Sequence, residues 1–163
     1  MTANPVSVEF EVILGPDRIV PEQELPGILA REPDAFDVSY LQEGRLTIKS
    51  KDALYDIDDP LFFMMPAFCF DAVIKLLAGE PAPYASWGTA QEVTLNAEDD
   101  RITISGEDMD PQSYPKEAVL QALLDAGIRF RTIAAEIWPD ASREDRDGLG
   151  PRSDAAIKAL SGD

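Results

Sequence analysis

Apolar and polar positions alternate along several short stretches of the chain, as they do in β-strands with one buried face. The alternation over residues 6–14 predicts a first strand, which should end at the Gly-Pro pair of residues 15–16. Prolines recur between residues 21 and 33, so we expect a loop there, with a turn or two of helix within residues 22–31.

Two later stretches, residues 38–52 and 93–108, each contain an alternating run, a polar turn and an Arg-(Leu/Ile)-Thr-Ile run. This pattern predicts a β-hairpin in each stretch. We expect Glu43-Gly44 to be the tight turn of the first hairpin and residues 97–100 to be the looser turn of the second. A duplicated unit would explain the likeness, but unrelated hairpins share these features often, and we favour coincidence.

Apolar runs bounded by proline and glycine predict the helices. Residues 67–77 are almost entirely apolar, so we expect a buried helix that begins near Pro66 and ends at Gly79, with Asp59 capping a short lead-in turn. A second helix is predicted from a cap at Ser113 or Tyr114 to a stop at Gly127. The i, i+3, i+4 spacing over residues 130–138 predicts a third helix, closed by proline.

Together these elements predict an α+β fold: an antiparallel sheet of about five or six strands with two or three helices packed on one face. The other face should contact water, because polar residues interleave with the apolar ones in most strands. We expect residues 1–138 to form one globular domain. Residues 139–163 are expected to form a mobile polar linker and a short C-terminal helix at residues 154–160.

The net charge of the chain excludes some classes of binding partner. The 163 residues include 31 Asp and Glu against 14 Lys and Arg, a formal net charge of −17. Residues 1–128 carry −16 of this and residues 129–163 only −1. Such a field repels nucleic acid and anionic membranes and attracts cations or basic proteins. We therefore expect a protein partner and neither nucleic-acid nor membrane binding.

The single cysteine, Cys69, lies among apolar residues and has no second cysteine with which to form an internal disulfide. The amino terminus has neither the basic nor the apolar region of a signal peptide, and no stretch has the length of a membrane span. These features predict a cytoplasmic protein.

The absence of histidine removes the commonest general base, the Ser-His and Cys-His nucleophile systems and every His-containing metal site. The Ser113-Tyr114-Pro115-Lys116 match to Ser-x-x-Lys is short, and a helix cap explains it. Residues 148–150, Gly-Leu-Gly, lack the strand and the Gly-Lys-Ser ending of a phosphate loop. We expect no catalytic residues, no metal, no cofactor and no enzymatic activity, with a carboxylate- or metal-dependent enzyme as an alternative.

Exposed carboxylates are the predicted partner-binding groups, together with one tryptophan as an aromatic anchor. Taken singly, each carboxylate is explained more simply as a solvated surface charge, and the tryptophan as a packing residue. For residues 56–59 a capping role at a helix entrance is the simpler explanation. The candidates are Glu98, Asp99, Asp100, Glu107, Asp108 and Asp110, a second patch of Asp56, Asp58 and Asp59, and the anchor Trp87.

A signal-free, histidine-free, strongly acidic α+β chain of this size resembles the small immunity proteins that bacteria encode beside polymorphic or contact-dependent toxins. The resemblance covers composition and architecture over the whole chain and includes no diagnostic motif, so no residue role is carried over. It implies a non-catalytic protein that binds and neutralises a cognate basic toxin. The alternative is a DNA-mimicking inhibitor of a nucleic-acid-binding protein, whose carboxylates would follow phosphate spacing along one face.

Overall fold

The alternating residues near the start of the chain form a central strand of the first of two sheets. The computed structural model describes residues 3–37, 41–140 and 149–162. The strands of the first sheet are β1 (Ser7–Gly15), β2 (Arg18–Pro21), β3 (Glu43–Lys49) and β4 (Leu54–Pro60). They are antiparallel in the order β2-β1-β3-β4, so β2 and β4 are the edges.

The second sheet is an antiparallel meander. Its strands are β5 (Ala82–Ala85), β6 (Glu92–Glu98), β7 (Arg101–Gly106) and β8 (Met109–Pro115). They lie in the order β5-β6-β7-β8, which differs from the order in the first sheet. The two sheets therefore differ in how the chain connects their strands.

Helices pack against the two sheets and against one another to form the core. They are α1 (Leu25–Arg31), α2 (Leu61–Pro66), α3 (Ala72–Leu77), α4 (Lys116–Ile137) and α5 (Leu149–Ser161), with a π-helical turn (Ala67–Asp71) joining α2 to α3. α2 contacts β3 and β4, α3 contacts β5 and β6, and α4 contacts β1, β7 and β8. In the part of the chain that the structure describes, no helix combines the length and apolarity needed to cross a membrane.

The α+β class is as predicted, but the single sheet of five or six strands is wrong, because the strands divide into two four-stranded sheets. The helix after β4 also starts earlier than predicted. It begins at Leu61 and not near Pro66, and Asp59 does not cap it, since Asp59 lies in β4. Pro66 is tolerated as the last residue of α2, where the hydrogen bonding changes to the π pattern. Gly79 follows α3 with φ of +78°, as a helix stop requires.

The predicted second and third helices are one helix of 22 residues, α4, so Gly127 is not a stop. A Cβ at Gly127 would lie 2.5 Å from Cε1 of Phe70 and 2.6 Å from Cβ of Cys69. Glycine is therefore used here for close packing against the π-helical turn. The predicted cap residues Ser113 and Tyr114 lie in β8, ahead of the helix.

Gly44 is a second glycine with a packing role. Glu43-Gly44 is not a turn, because both residues lie in β3. A Cβ at Gly44 would clash with the side chain of Leu61. The turn of this hairpin falls between Ser50 and Ala53, and residues 38–40 of the predicted hairpin lie outside the described residues. The second hairpin turn is confirmed between β6 and β7.

The predicted C-terminal helix is present as α5, which begins earlier than residue 154. Leu149, Ser153 and Ala156 are buried, and Nε of Arg152 donates to the Asp71 carboxylate at 2.8 Å. These contacts attach α5 to the rest of the fold. Residues 141–148, which include much of the predicted linker, lie outside the described residues.

Candidate functional site: an acidic cleft beside a free strand edge

The outer edge of β4 has no partner strand among residues 3–37, 41–140 and 149–162. In an antiparallel ladder, the N–H and C=O of one residue point to the same side, and the side alternates along the strand. The N–H of Ser50 donates to the carbonyl of Ala53 at 2.8 Å, which makes these two residues a hydrogen-bonded pair. By alternation, the main-chain groups of Leu54, Asp56 and Asp58 point away from β3.

A cleft of about 1070 Å³ runs along this outer edge. One side consists of residues 55–58 of β4, and the other is one end of the second sheet. That end comprises the loop of residues 86–91 after β5, the start of β6, and the turn between β7 and β8. β4 thus passes across the end of the second sheet and leaves a concave space between the two.

Carboxylates line the cleft, and among the residues that the structure describes no lysine or arginine does. Its floor is less polar, because Tyr55 is buried and Ile57 and Val93 are partly buried. Burial, followed by the charge of Asp56, raises the pKa of Tyr55, so its phenol stays protonated at neutral pH. The lining carboxylates are Asp56, Asp58, Glu92, Glu107 and Asp108.

One lining carboxylate has an arginine partner. Nε of Arg45 donates to Asp58 at 2.6 Å, and this hydrogen bond is the largest of the effects that raise the arginine pKa. Asp56, Glu92, Glu107 and Asp108 make no ion pair with any residue that the structure describes. Most of the negative charge in the cleft is therefore uncompensated, and low-dielectric walls focus such a field.

Asp59 belongs to the predicted acidic patch, but it is only 1% exposed. Its carboxylate accepts hydrogen bonds from the hydroxyl groups of Tyr84 and Ser86 and from the main-chain N–H groups of Trp87 and Gly88, the latter two at 3.0 and 3.1 Å. Sequence reasoning expected a solvent-facing group or a helix cap. The structure shows that Asp59 fixes one wall of the cleft to β4.

Trp87 is 61% exposed and lies on the loop that forms this wall. Its ring packs against Phe63, with 6.0 Å between ring centroids, while Asp59 holds its main chain. The position combines a fixed backbone with an accessible aromatic face. Both properties suit an anchor for a bound partner.

The structure brings four of the predicted carboxylates together in the cleft and separates the others from it. Residues 98–100 form the turn at the far end of β6, about 20 Å from its cleft end at ~3.3 Å per residue. Asp110 is exposed in β8 and does not line the cleft. The four carboxylates that meet in the cleft are Asp56, Asp58, Glu107 and Asp108.

Sequence reasoning missed Glu92 and the free edge of β4. Glu92 begins β6, and no local pattern distinguishes it from other surface carboxylates. The edge follows from the order of the strands in the first sheet. Both features arise from tertiary structure, and the only signal in the sequence was the general excess of acidic residues.

The Ser-x-x-Lys match does not place its two residues one helical turn apart. Ser113 lies in β8, where its Oγ accepts a hydrogen bond from Nε of Arg101 at 3.0 Å, and Lys116 is the first residue of α4. Within the described residues, no group of three or more Asp, Glu, Cys or His side chains is arranged to hold a metal ion.

Comparison of the chain with known protein families, with curated proteins and with solved structures gives no significant match. Inference about function therefore begins from the geometry and charge of the cleft.

Proposed function

We propose that this chain is a non-catalytic binding protein that docks a basic protein in the acidic cleft. The observation that carries the proposal is a concave space of about 1070 Å³ lined by five carboxylates and, in the described part of the chain, by no lysine or arginine. A basic surface segment would replace the water around these carboxylates with its own cations. Its apolar parts would pack on Tyr55 and Ile57.

The electrostatic field of the cleft suits rapid capture of such a partner. A net charge of −17 attracts basic proteins over a distance that depends on salt, and the cleft concentrates the attraction at one place. Complementary charge mainly accelerates association and excludes wrong partners, whereas packing in the centre of the interface holds the complex together. Trp87, beside the cleft, supplies an apolar surface for such packing.

We further propose that the partner is a bacterial toxin, which this chain neutralises by covering its basic surface. The support for this step is the resemblance in size, acidity and α+β architecture to immunity proteins. A basic surface that binds a phosphate-containing substrate cannot bind that substrate while it is occupied by the carboxylates of the cleft. Neutralisation then needs no chemistry from this chain.

Affinity capture from the native host tests the proposal with three baits: the natural chain, a cleft variant and a control variant. The cleft variant is Asp56→Asn/Asp108→Asn, and the control is Glu98→Gln/Asp100→Asn at the far end of β6. Both variants remove two negative charges and keep the shape of the side chains. We expect a basic protein to be retained by the natural chain and the control and depleted with the cleft variant.

The captured protein is then expressed in a bacterial host with and without this chain. We expect growth arrest without it and normal growth with it, and the cleft variant should protect poorly. Equal capture by all three baits would contradict docking in the cleft. A captured protein that is acidic would contradict the proposed partner chemistry, and one that is harmless when expressed would contradict the toxin assignment.

A further inference from the structure

We infer that the basic partner presents an extended segment that adds to the free edge of β4 as a fifth strand of the first sheet. This inference rests on the proposed function and specifies how the cleft holds its partner. It depends on the direction of the main-chain groups of β4, which is independent of the charge of the cleft.

The main-chain groups of Asp56 and Asp58 that point away from β3 are the first feature that favours strand addition. They are separated by one residue, so together they present two N–H donors and two C=O acceptors to the cleft, in the spacing that pairs with another strand. The structure gives neither N–H a hydrogen-bond partner among the residues it describes. A strand placed about 4.8 Å from β4 would satisfy these groups and would lie inside the cleft.

The two ends of this edge are closed by the protein itself, and the open part lies between them. At one end, the N–H of Leu54 donates to the side-chain carbonyl of Gln112 in β8 at 3.0 Å. At the other end, the Asp59 carboxylate binds the N–H groups of Trp87 and Gly88 in the loop. An added strand would therefore be short, and its register would be limited by these two contacts.

Charge decides which occupant fits. A second copy of this chain would place its own Asp56 and Asp58 against the same carboxylates, and like charges across an edge oppose pairing. A segment that alternates lysine or arginine with apolar residues would direct cations toward Glu92, Glu107 and Asp108. Its apolar side chains would meet the floor formed by Tyr55 and Ile57. The occupant is thus a basic, extended segment of another protein.

The test uses three acetylated and amidated peptides of sequence Lys-Val-Lys-Val-Lys-Val-Lys. One is unmodified, one is N-methylated at every valine, and one is N-methylated at the three lysines that follow a valine. All three carry the same charge, and each methylated peptide lacks three of the four N–H donors on one edge of the extended chain. Binding to the natural chain is measured by calorimetry, and amide exchange at Asp56 and Asp58 is measured by NMR.

Strand addition predicts that one methylated peptide binds at least about tenfold more weakly than the unmodified peptide, while the other binds nearly as well. It also predicts slower exchange of the Asp56 and Asp58 amides when the unmodified peptide is bound. Binding of all three peptides within about threefold, or unchanged exchange at both amides, would overturn the inference. Absence of binding by the unmodified peptide would overturn it as well.

Failure of strand addition can be distinguished from failure of the proposed function. If all three peptides bind equally but the Asp56→Asn/Asp108→Asn variant binds them more weakly, the cleft takes a basic partner without strand pairing. If no peptide binds, strand addition is wrong, and the capture experiment decides the proposed function separately.

Discussion

The carboxylate of Asp59 in β4 accepts the hydroxyl hydrogen bond of Tyr84 in β5, and this contact links the two sheets beside the cleft. Burial is the largest cause that raises the pKa of Tyr84, and the hydrogen bond to Asp59 raises it further, so the phenol remains a donor at neutral pH. At the opposite edge of the second sheet, the hydroxyl of Tyr114 in β8 donates to the carbonyl of Ile48 in β3 at 2.7 Å. These contacts fix how β4 crosses the end of the second sheet.

Replacing Asp59 by alanine should therefore destabilise the fold strongly. The change removes a buried acceptor that the N–H groups of Trp87 and Gly88 share with two hydroxyl groups, a loss that we estimate at about 3 kcal/mol. Urea unfolding measures this change in the free energy of unfolding. The matched control is Asp56→Ala, three residues away on the same strand but exposed, which should change stability by less than about 0.5 kcal/mol. Similar values for both variants would contradict the structural role of Asp59.

Gly127→Ala should be destabilising although alanine is normally the better helix residue. The added methyl group would meet Phe70 and Cys69 at 2.5 and 2.6 Å, and such overpacking costs about 1 to 3 kcal/mol. Gly150→Ala in α5 is the control, because no described residue has an atom within 4 Å of the added carbon there. Thermal unfolding should show a lower midpoint for the first variant and an equal or higher midpoint for the second. A Gly127→Ala protein as stable as the natural chain would show that α4 and the π-helical turn are farther apart.

Glu43 gives a prediction about pH. Partial burial of the carboxyl, followed by the charges of Asp59 and Asp58, raises the pKa of Glu43 above the ordinary value of 4.5, so ionised Glu43 opposes folding. Glu43→Gln should stabilise the protein at neutral pH, by less than about 1 kcal/mol because the side chain is exposed. The gain should shrink as pH falls through the raised pKa, where the folded state takes up the proton, and should vanish below 4.5, where the carboxyl is protonated in both states.

Urea unfolding of both proteins between about pH 8 and pH 5 measures this difference. A gain that stays constant across the range, or that grows on acidification, would contradict the pKa direction assigned to Glu43.

Fluorescence should report on occupation of the cleft, because the two tryptophans differ sharply in exposure. Trp87 is 61% exposed and Trp138 is 1% exposed, so a soluble quencher should reach only the first. Saturation with the unmodified Lys-Val peptide should reduce quenching by acrylamide and shift the emission to shorter wavelength. A Trp87→Phe variant, which keeps a ring against Phe63, should show neither change. If this variant responds like the natural chain, Trp87 is not part of the docking surface.

The central strands were predictable from sequence and the edge strands were not. The alternating runs identified β1 and much of β3, β6 and β7, which each have a partner on both sides. The four edge strands were taken as loop, turn or helix cap, because they are short, charged or rich in proline. β8 contains Pro111 and Pro115, and β4 has four acidic or proline residues in its seven.

The cleft could not be predicted for the same reason. It is bounded by the edge strand β4 and by the ends of strands in another sheet, so its residues are far apart in the chain. The sequence did indicate Asp56, Asp58, Glu107 and Asp108 as candidate partner-binding carboxylates. They could not show that these residues share one space, or that neighbouring Asp59 is buried.

The glycines show a similar limit. A glycine at the end of an apolar run predicts a helix stop, which is correct for Gly79 and wrong for Gly127. The difference lies in the neighbour across the interface, Phe70, which the sequence around Gly127 does not reveal.

The proposed function requires that the cleft is where cations gather on this protein. An octalysine peptide with a nitroxide spin label at its amino terminus tests this directly, since the label broadens the NMR signals of nearby amides. We predict that broadening centres on residues 55–58 and 107–108 and is lost in the Asp56→Asn/Asp108→Asn variant, but not in Glu98→Gln/Asp100→Asn. Broadening centred on residues 98–100, or spread evenly over the acidic surface, would contradict the claim.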